Sequence, residues 1–414
     1  MAQALATPAF DATRPIDLRG ASFSDRPYEW YRWMLEDAPA CHGRISLFKF
    51  GLVARYDDCR QILTDPRFIR NRGRARGKAA GSPVPFPLPR SARALAMSMI
   101  LEDDPAHRRL RNLVNKAFTH RAVERLSDRV DALAQEALDE LDPRNPCDLL
   151  RDYARPIPTR VIAEMMGVTG VDTERFQRGF ETLSQGMNGV SILGTLMWKL
   201  PALTRFVRDL IARKRIAPGE DILSRLIAAE ADGDRLNEQE LVAMVFLLMV
   251  AGFETTQHLI CNGVHTLLSH PEQRERLERE PEHWETGIEE LVRFRGPVHG
   301  TKLFYPTEDV TFHGRTFRRG TPIMPLLGAA NHDPRVFDQP ERFDVTRAPN
   351  PHLGFGLGMH FCLGKQLALM ETRVALTRLL ERYPDLHLAV EPDALRHERV
   401  PGWYRYTALP IALS

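Results

Sequence analysis

The chain has 414 residues, 43% of them hydrophobic and 27% charged, the balance of an ordinary globular protein with a large core. Its 56 basic and 54 acidic residues leave a net charge of +2, which argues against nucleic acid as a main partner. Residues 1–30 show no apolar h-region. The longest apolar run, Leu241–Phe253, is bounded by Glu240 and Glu254 and falls short of the ~20 residues of a membrane span. No membrane association is expected. Cys41, Cys59, Cys147, Cys261 and Cys362 lie far apart, odd in number and without a C-x-x-C pair. That speaks against a disulfide framework or a zinc site and for a reducing cytoplasm.

Residues 1–20 read as an irregular lead, and 21–414 as a single domain. Residues 44–56 alternate well enough for a short hairpin. Residues 66–90 carry five Pro and three Gly and predict a long functional loop, with the Arg-rich run Arg67–Lys78 solvated. From Asp104 to about Leu268 the period is helical, with stretches over Arg121–Leu141 and Tyr153–Met166. The pattern over 237–268 predicts one long helix, opened by Asn237 as N-cap with Glu240 three residues on. Another helix is expected over Trp284–Arg295. Short strands follow at Val310–Phe312 and Phe317, then a largely irregular stretch over 331–361. A last helix is expected from Cys362 or Leu363 to about Arg382. The fold class is mainly α with a minor β part (α+β).

The chemistry concentrates in residues 355–364, F-G-L-G-M-H-F-C-L-G. Amide groups at the start of a helix after Cys362 would favour a thiolate. Gly356, Gly358 and Gly364 remove side chains where the backbone turns or approaches a flat group. An inert buried cysteine or a nucleophile served by His360 remains open at this point. A dinucleotide fingerprint does not, because Gly356-Leu-Gly358 lacks the third glycine and a preceding strand. A second segment, Ala251-Gly252-Phe253-Glu254-Thr255-Thr256, puts an acid and a hydroxyl into an apolar helix. An acid there needs a task or a partner, Thr255 can bond back to the Ala251 carbonyl, and Gly252 leaves room for a ligand.

The spacing F-G-x-G-x-H-x-C-x-G resembles the cytochrome P450 family, and the likeness extends from about residue 20 to the C-terminus. The resemblance implies a fold with the long helix over a haem b, iron protoporphyrin IX, whose metal ligand is Cys362. Phe355 would shield the sulfur, while the Leu363 and Gly364 amides would tune it. Ala251 would lie beside the haem. Glu254 and Thr255 match the family's acid–alcohol pair, with Thr255 orienting oxygen and a water and Glu254 relaying protons. Glu290 and Arg293, one helical turn apart, match the E-x-x-R that locks the region under the cysteine loop, with Arg342 as the candidate to close it. His107 and Arg111 share a helix face and match propionate ligands, as does His360. One departure stands out: Phe304 occupies the position of a propionate arginine. Lys302, on the same face of a strand, is the expected replacement.

By the same resemblance the substrate pocket draws on residues 82–100 and 176–200, Leu248, Gly252, Val298, His299 and Tyr404. It suits a small-to-medium apolar molecule of the terpenoid, steroid, fatty acid or polyketide class. The chain shows no nicotinamide, flavin or iron–sulfur fingerprint. Electrons are therefore expected from a ferredoxin with its reductase, or a flavodoxin, docking near Arg108, Arg109, Lys116 and Lys365. The reading is a cytoplasmic, monomeric monooxygenase that uses O2. Its rivals are a non-catalytic haem-thiolate sensor or carrier and a peroxide-driven variant.

Overall fold

The computed structural model describes residues 10–77, 98–118, 123–168, 199–231 and 233–413, with isolated positions between 170 and 179. Its helices include α1 (Pro27–Asp37), α2 (Tyr56–Thr64), α3 (Ala106–Ala117), α4 (Ser127–Asp139), α5 (Pro156–Met165), α6 (Leu200–Ile216), α7 (Glu238–Ser269), α8 (Trp284–Arg295) and α9 (Lys365–Arg382). The strands are short: β1 (Ile16–Asp17), β2 (Ala40–Ile45), β3 (Phe48–Val53), β4 (Phe68–Ile69), β5 (Tyr305–Pro306), β6 (Val310–Phe312), β7 (Arg315–Phe317) and β8 (Ile323–Pro325) among them. The fold is mainly helical with small sheets, as expected.

Helix α7 is the axis of the helical core. Its start is fixed by a reciprocal cap: the Glu240 amide donates to Asn237 Oδ1 at 3.0 Å, and the Asn237 amide donates to Glu240 Oε2 at 2.9 Å. Such a box satisfies two amides that would otherwise face no partner. Helices α5, α8 and α9 pack around it. Gly252 is a contact point: a Cβ there would lie 2.5 Å from Ile162 Cδ1 of α5. Gly252 therefore lets α5 approach α7 closely while keeping partial exposure.

The hairpin lies over β2 and β3, paired from Ala40↔Val53 to Ile45↔Phe48, about four residues earlier than its alternation suggested. Strand β8 adds to β3 in parallel. A separate pair joins β4 to β5, Phe68 to Pro306 and Ile69 to Tyr305. Helix α4 covers Ser127–Asp139 of the expected stretch Arg121–Leu141, whose first two residues lie outside the described residues.

Between α8 and α9 the chain runs with little regular structure, and a buried ion pair holds it. Arg293 Nε and Nη2 reach Glu290 Oε2 and Oε1 at 2.7 and 2.8 Å, and both side chains are fully buried. Arg293 also donates to the carbonyls of Asn331, Pro340 and Arg342 at 2.8, 2.9 and 3.2 Å. Glu290 accepts from the Asp344 amide, Arg347 Nε and Asn350 Nδ2, each at 3.1 Å. The third member is therefore Arg347, not Arg342. Arg342 contributes only its carbonyl, because the turn at Asp344 brings Arg347 back onto Glu290.

Removing one partner of a buried pair leaves an uncompensated charge. Arg293→Ala is expected to cost about 3–5 kcal/mol, and Arg347→Ala to destabilise clearly. Arg342→Ala should stay within about 0.5 kcal/mol of wild type, since a backbone carbonyl survives the change. Urea unfolding of the three variants checks the order, and an Arg342→Ala as damaging as Arg347→Ala would contradict it.

Candidate active site

The cysteine loop is built by close backbone approach. Gly356 and Gly358 adopt φ of +70° and +68°, conformations that side chains disfavour. A Cβ at Gly358 would also sit 2.5 Å from the Leu63 carbonyl oxygen of α2. The Cys362 amide donates to the Phe355 carbonyl at 2.9 Å, closing the loop. Helix α9 starts at Lys365, after Gly364 as N-cap, not directly after Cys362. Of the two amides expected to act on the Cys362 sulfur, that of Gly364 favours its thiolate. Burial nevertheless pushes the Cys362 thiol above its ordinary value, against the pull of Gly364, Arg111 and Lys365. A thiol raised in this way is a poor free nucleophile. It becomes a thiolate readily when a metal cation meets the sulfur.

Beside the loop stands a group of cations and imidazoles. His107 on α3 is buried, and its ring lies 4.5 Å from that of His360, edge to face. Arg111, one turn on, is in the electrostatic field of Cys362. Arg70, which the sequence placed in a solvated run, is 5% exposed and acts on both His360 and His107. Burial first, and then these neighbouring cations, depress His360 far below the usual imidazole range. Lys302 keeps accessible surface, and its charged neighbours are Arg70 and Glu254, with His107, Arg111 and His360 not among them.

Opposite chemistry lies on α7. Thr255 Oγ1 donates to the Ala251 carbonyl at 2.7 Å, the back-bond expected from the spacing. Ala251 is exposed in the middle of a buried apolar helix, and Leu247, Val250, Gly252 and Thr255 around it keep partial exposure. Positions 247, 251 and 255 share a face at helical spacing. Leu248 belongs to the core at 8% exposure, so the pocket position on this turn is Leu247. Glu254 is buried and pairs with Arg405 Nη1 at 3.0 Å, while Arg405 Nη2 pairs with Glu398 at 2.7 Å. Sequence reading missed Arg405 because 150 residues separate it from its partner.

Two expected pocket residues turn out to be structural. His299 is 4% exposed, and both its ring nitrogens are engaged, Nδ1 with Tyr31 Oη at 3.0 Å and Nε2 with Tyr28 Oη at 3.4 Å. Tyr404 stacks on His299 at 4.9 Å and bonds to Arg295 and Tyr406. Neither is free to hold a substrate. Val298 is half-buried and bridges to Trp403. The stretches 82–97 and most of 176–198 lie outside the described residues. The expected docking cations are engaged as well: Arg108 pairs with Asp104, Arg109 with Asp234 and Glu240, and Lys365 with Glu289. Lys116 has an interaction too.

A group that answers these demands together must bring a cation to Cys362 and negative charge to Arg70, His107, Arg111 and His360. It must also offer an apolar face to the exposed methyl of Ala251. Haem meets all three, and the fold and site are those of a haem-thiolate protein. The family profile described as Cytochrome P450 matches residues 210–389. The chain is 35% identical over 401 residues to the polyketide biosynthesis cytochrome P450 PksS of Bacillus subtilis (strain 168), covering 95% of this chain and 98% of PksS. The solved PksS structure superposes with a TM-score of 0.88, over 96% of this chain and 99% of PksS. Vitamin D(3) 25-hydroxylase of Pseudonocardia autotrophica is 37% identical over 97% of both chains. P450BioI, solved in complex with hexadec-9Z-enoic acid ligated acyl carrier protein, is 31% identical with a TM-score of 0.84 over 95% of this chain and 99% of its own. The chain belongs to the cytochrome P450 family and is an oxidoreductase of the monooxygenase type.

The histidines around Tyr404 also set an acid limit. Burial, followed by nearby cations such as Arg293 and Arg295, pushes His299 well down, His332 to about 3, and His265 and His397 to about 4. The unfolded chain protonates them near 6.5. Their neutral forms therefore support the fold fully above that pH, and the support is lost as pH falls from about 6.5 towards 4. Each depressed histidine costs about 2 kcal/mol at pH 5. Melting temperature should drop by several degrees between pH 7 and pH 5, and a flat profile over that window would count against the assignment.

Proposed function

We propose that this protein inserts one atom of O2 into an apolar small molecule and reduces the other to water, drawing electrons from a separate protein. The observation that carries this is the pairing of Thr255, back-bonded to Ala251, with the buried Glu254–Arg405 couple at the exposed turn in the middle of α7. A haem protein that only carries or senses a ligand has no use for an acid and a hydroxyl there. With no C-x-x-C-H attachment site in the sequence, the haem is held non-covalently, as haem b would be.

Bound haem supplies the redox-active iron at which dioxygen is activated. Cys362 would hold that iron, with the Gly364 amide and the closed loop fixing the sulfur. Thr255 keeps its hydroxyl proton on the Ala251 carbonyl, so its oxygen lone pairs face the internal space and accept from water. Glu254 would pass protons from the Arg405–Glu398 side to the water that Thr255 holds. Arg405 fixes the resting position of the carboxylate, so proton transfer requires Glu254 to leave it. Leu247, Val250 and Ala251 give the adjacent wall an apolar surface.

For the substrate, the polyketide, vitamin D(3) and fatty-acyl names attached to similar proteins favour a medium-sized, mostly apolar compound of the polyketide, steroid or fatty acid class. A cytoplasmic ferredoxin with its reductase, or a flavodoxin, is the donor we favour, because no nicotinamide, flavin or cluster motif occurs in the sequence.

The reduced, carbon monoxide-treated protein should show a strongly red-shifted Soret band that Cys362→His abolishes. Folded wild-type protein with a histidine-type spectrum would remove the basis of this reading. With redox proteins supplied, Thr255→Ala should raise peroxide release per electron several-fold, and Glu254→Gln should slow product formation by about 100-fold. Wild-type coupling in Thr255→Ala would withdraw the role given to it. Turnover equal with peroxide alone would favour the peroxide-driven alternative.

A further inference from the structure

Strand β4 ends at Ile69, which pairs with Tyr305, so Arg70 continues alongside Phe304. Its guanidinium lies over the Phe304 ring, 3.7 Å from Cζ to the centroid. Nη1 donates to the Lys302 carbonyl and, at 3.4 Å, to that of Leu303. The nearest acid, Asp103, is already committed to main-chain amides, accepting from those of Arg70 and Asn71 at 2.7 and 2.9 Å. No ion pair to the Arg70 guanidinium is recorded among the described residues. Its Nε is buried without any hydrogen-bond partner.

A buried guanidinium without a carboxylate is costly, and an unpartnered buried donor adds to that cost. Arg70 also shares its surroundings with His107, His360 and Lys302. Two imidazoles and a second cation stand around it, and Asp103, the acid that acts on it, is spent on main-chain amides, so no carboxylate meets the guanidinium. The side of the guanidinium that carries Nε and Nη2 is the fork that fits a carboxylate at two points.

We propose that Arg70 binds a haem propionate through its Nε side, with Phe304 as its platform, and so replaces the arginine that the family resemblance leads one to expect at position 304. The cation has moved from one strand of the β4–β5 pair to the residue facing it across the pair. An arginine at 304 and one at 70 would crowd the same spot, which is why an aromatic ring now occupies 304. Lys302, whose charged neighbours are Arg70 and Glu254 rather than the imidazoles, is left out of this role. The inference rests on the haem-thiolate reading. Failure of that reading would show separately, as a missing thiolate spectrum in the wild type.

The test is the rate of haem transfer from the purified holoenzyme to excess apomyoglobin, for wild type, Arg70→Gln, Arg70→Ala, Lys302→Ala and the double variant Arg70→Ala/Phe304→Arg. Arg70→Gln retains a donor for the Lys302 carbonyl but loses the charge. Losing one charge-assisted contact should speed haem release about tenfold or more. The double variant should recover most of the loss, and Lys302→Ala should release haem at the wild-type rate. Melting of the apoproteins separates a purely structural role. Unchanged release in Arg70→Gln would overturn the proposal. So would apoprotein destabilisation that accounts for all of the faster release. If Arg70→Ala does not fold, Arg70→Gln alone decides the matter.

Discussion

Everything at this site depends on the buried pair Glu290–Arg293. The segment from Asn331 to Phe361 must hold Cys362 at a fixed depth, yet it has few ladder hydrogen bonds of its own. Arg293 collects three of its carbonyls, and Glu290 collects an amide, Arg347 and Asn350. The ion pair acts as a substitute for secondary structure. Its desolvation cost is offset only because nearly every donor and acceptor in it is used. Asn331 extends the hold to the loop itself, since its Oδ1 accepts the Leu353 amide at 2.7 Å. Glu289, on the next position of α8, anchors the other end through His352 and Lys365, each at 2.7 Å.

The sequence showed most clearly what depends on local spacing. The cap of α7, the back-bond of Thr255, the Glu290–Arg293 turn and the glycines of the cysteine loop are all interactions within four residues or a short motif. The hairpin register was less visible, because alternation continues past the strand ends and the turn at Ser46 carries no strong turn residue. Leu248 in place of Leu247 is an error of one position, which on a helix is a rotation of about 100°. In an apolar helix buried on nearly every side, composition does not mark which face is open.

What remained hidden was pairing across long separations. Arg405 reaches Glu254, Arg347 displaces Arg342, and Tyr28 and Tyr31 claim His299. In each case the residue's own neighbours in the chain say nothing of the partner. His299 illustrates the physical reason. A polar side chain predicted near a pocket is equally compatible with a buried network, and only the positions of other elements decide between them. Here α1 supplies two hydroxyls and removes His299 from the pocket altogether.

Helices and β segments divide the work at this site. Helix α7 provides an apolar wall, interrupted by one acid and one hydroxyl. The charges that position those groups come largely from outside the helices: Arg405 and Glu398 from the C-terminal segment, Arg70 from the end of β4, Lys302 from the approach to β5. Short strands and loops suit this task, because their side chains reach inward without filling the volume that a helix occupies. The division also explains how Phe304 is tolerated. An arginine from either partner of a two-residue strand pair reaches the same point, so a cation lost at 304 can be recovered at 70 with the helical frame untouched.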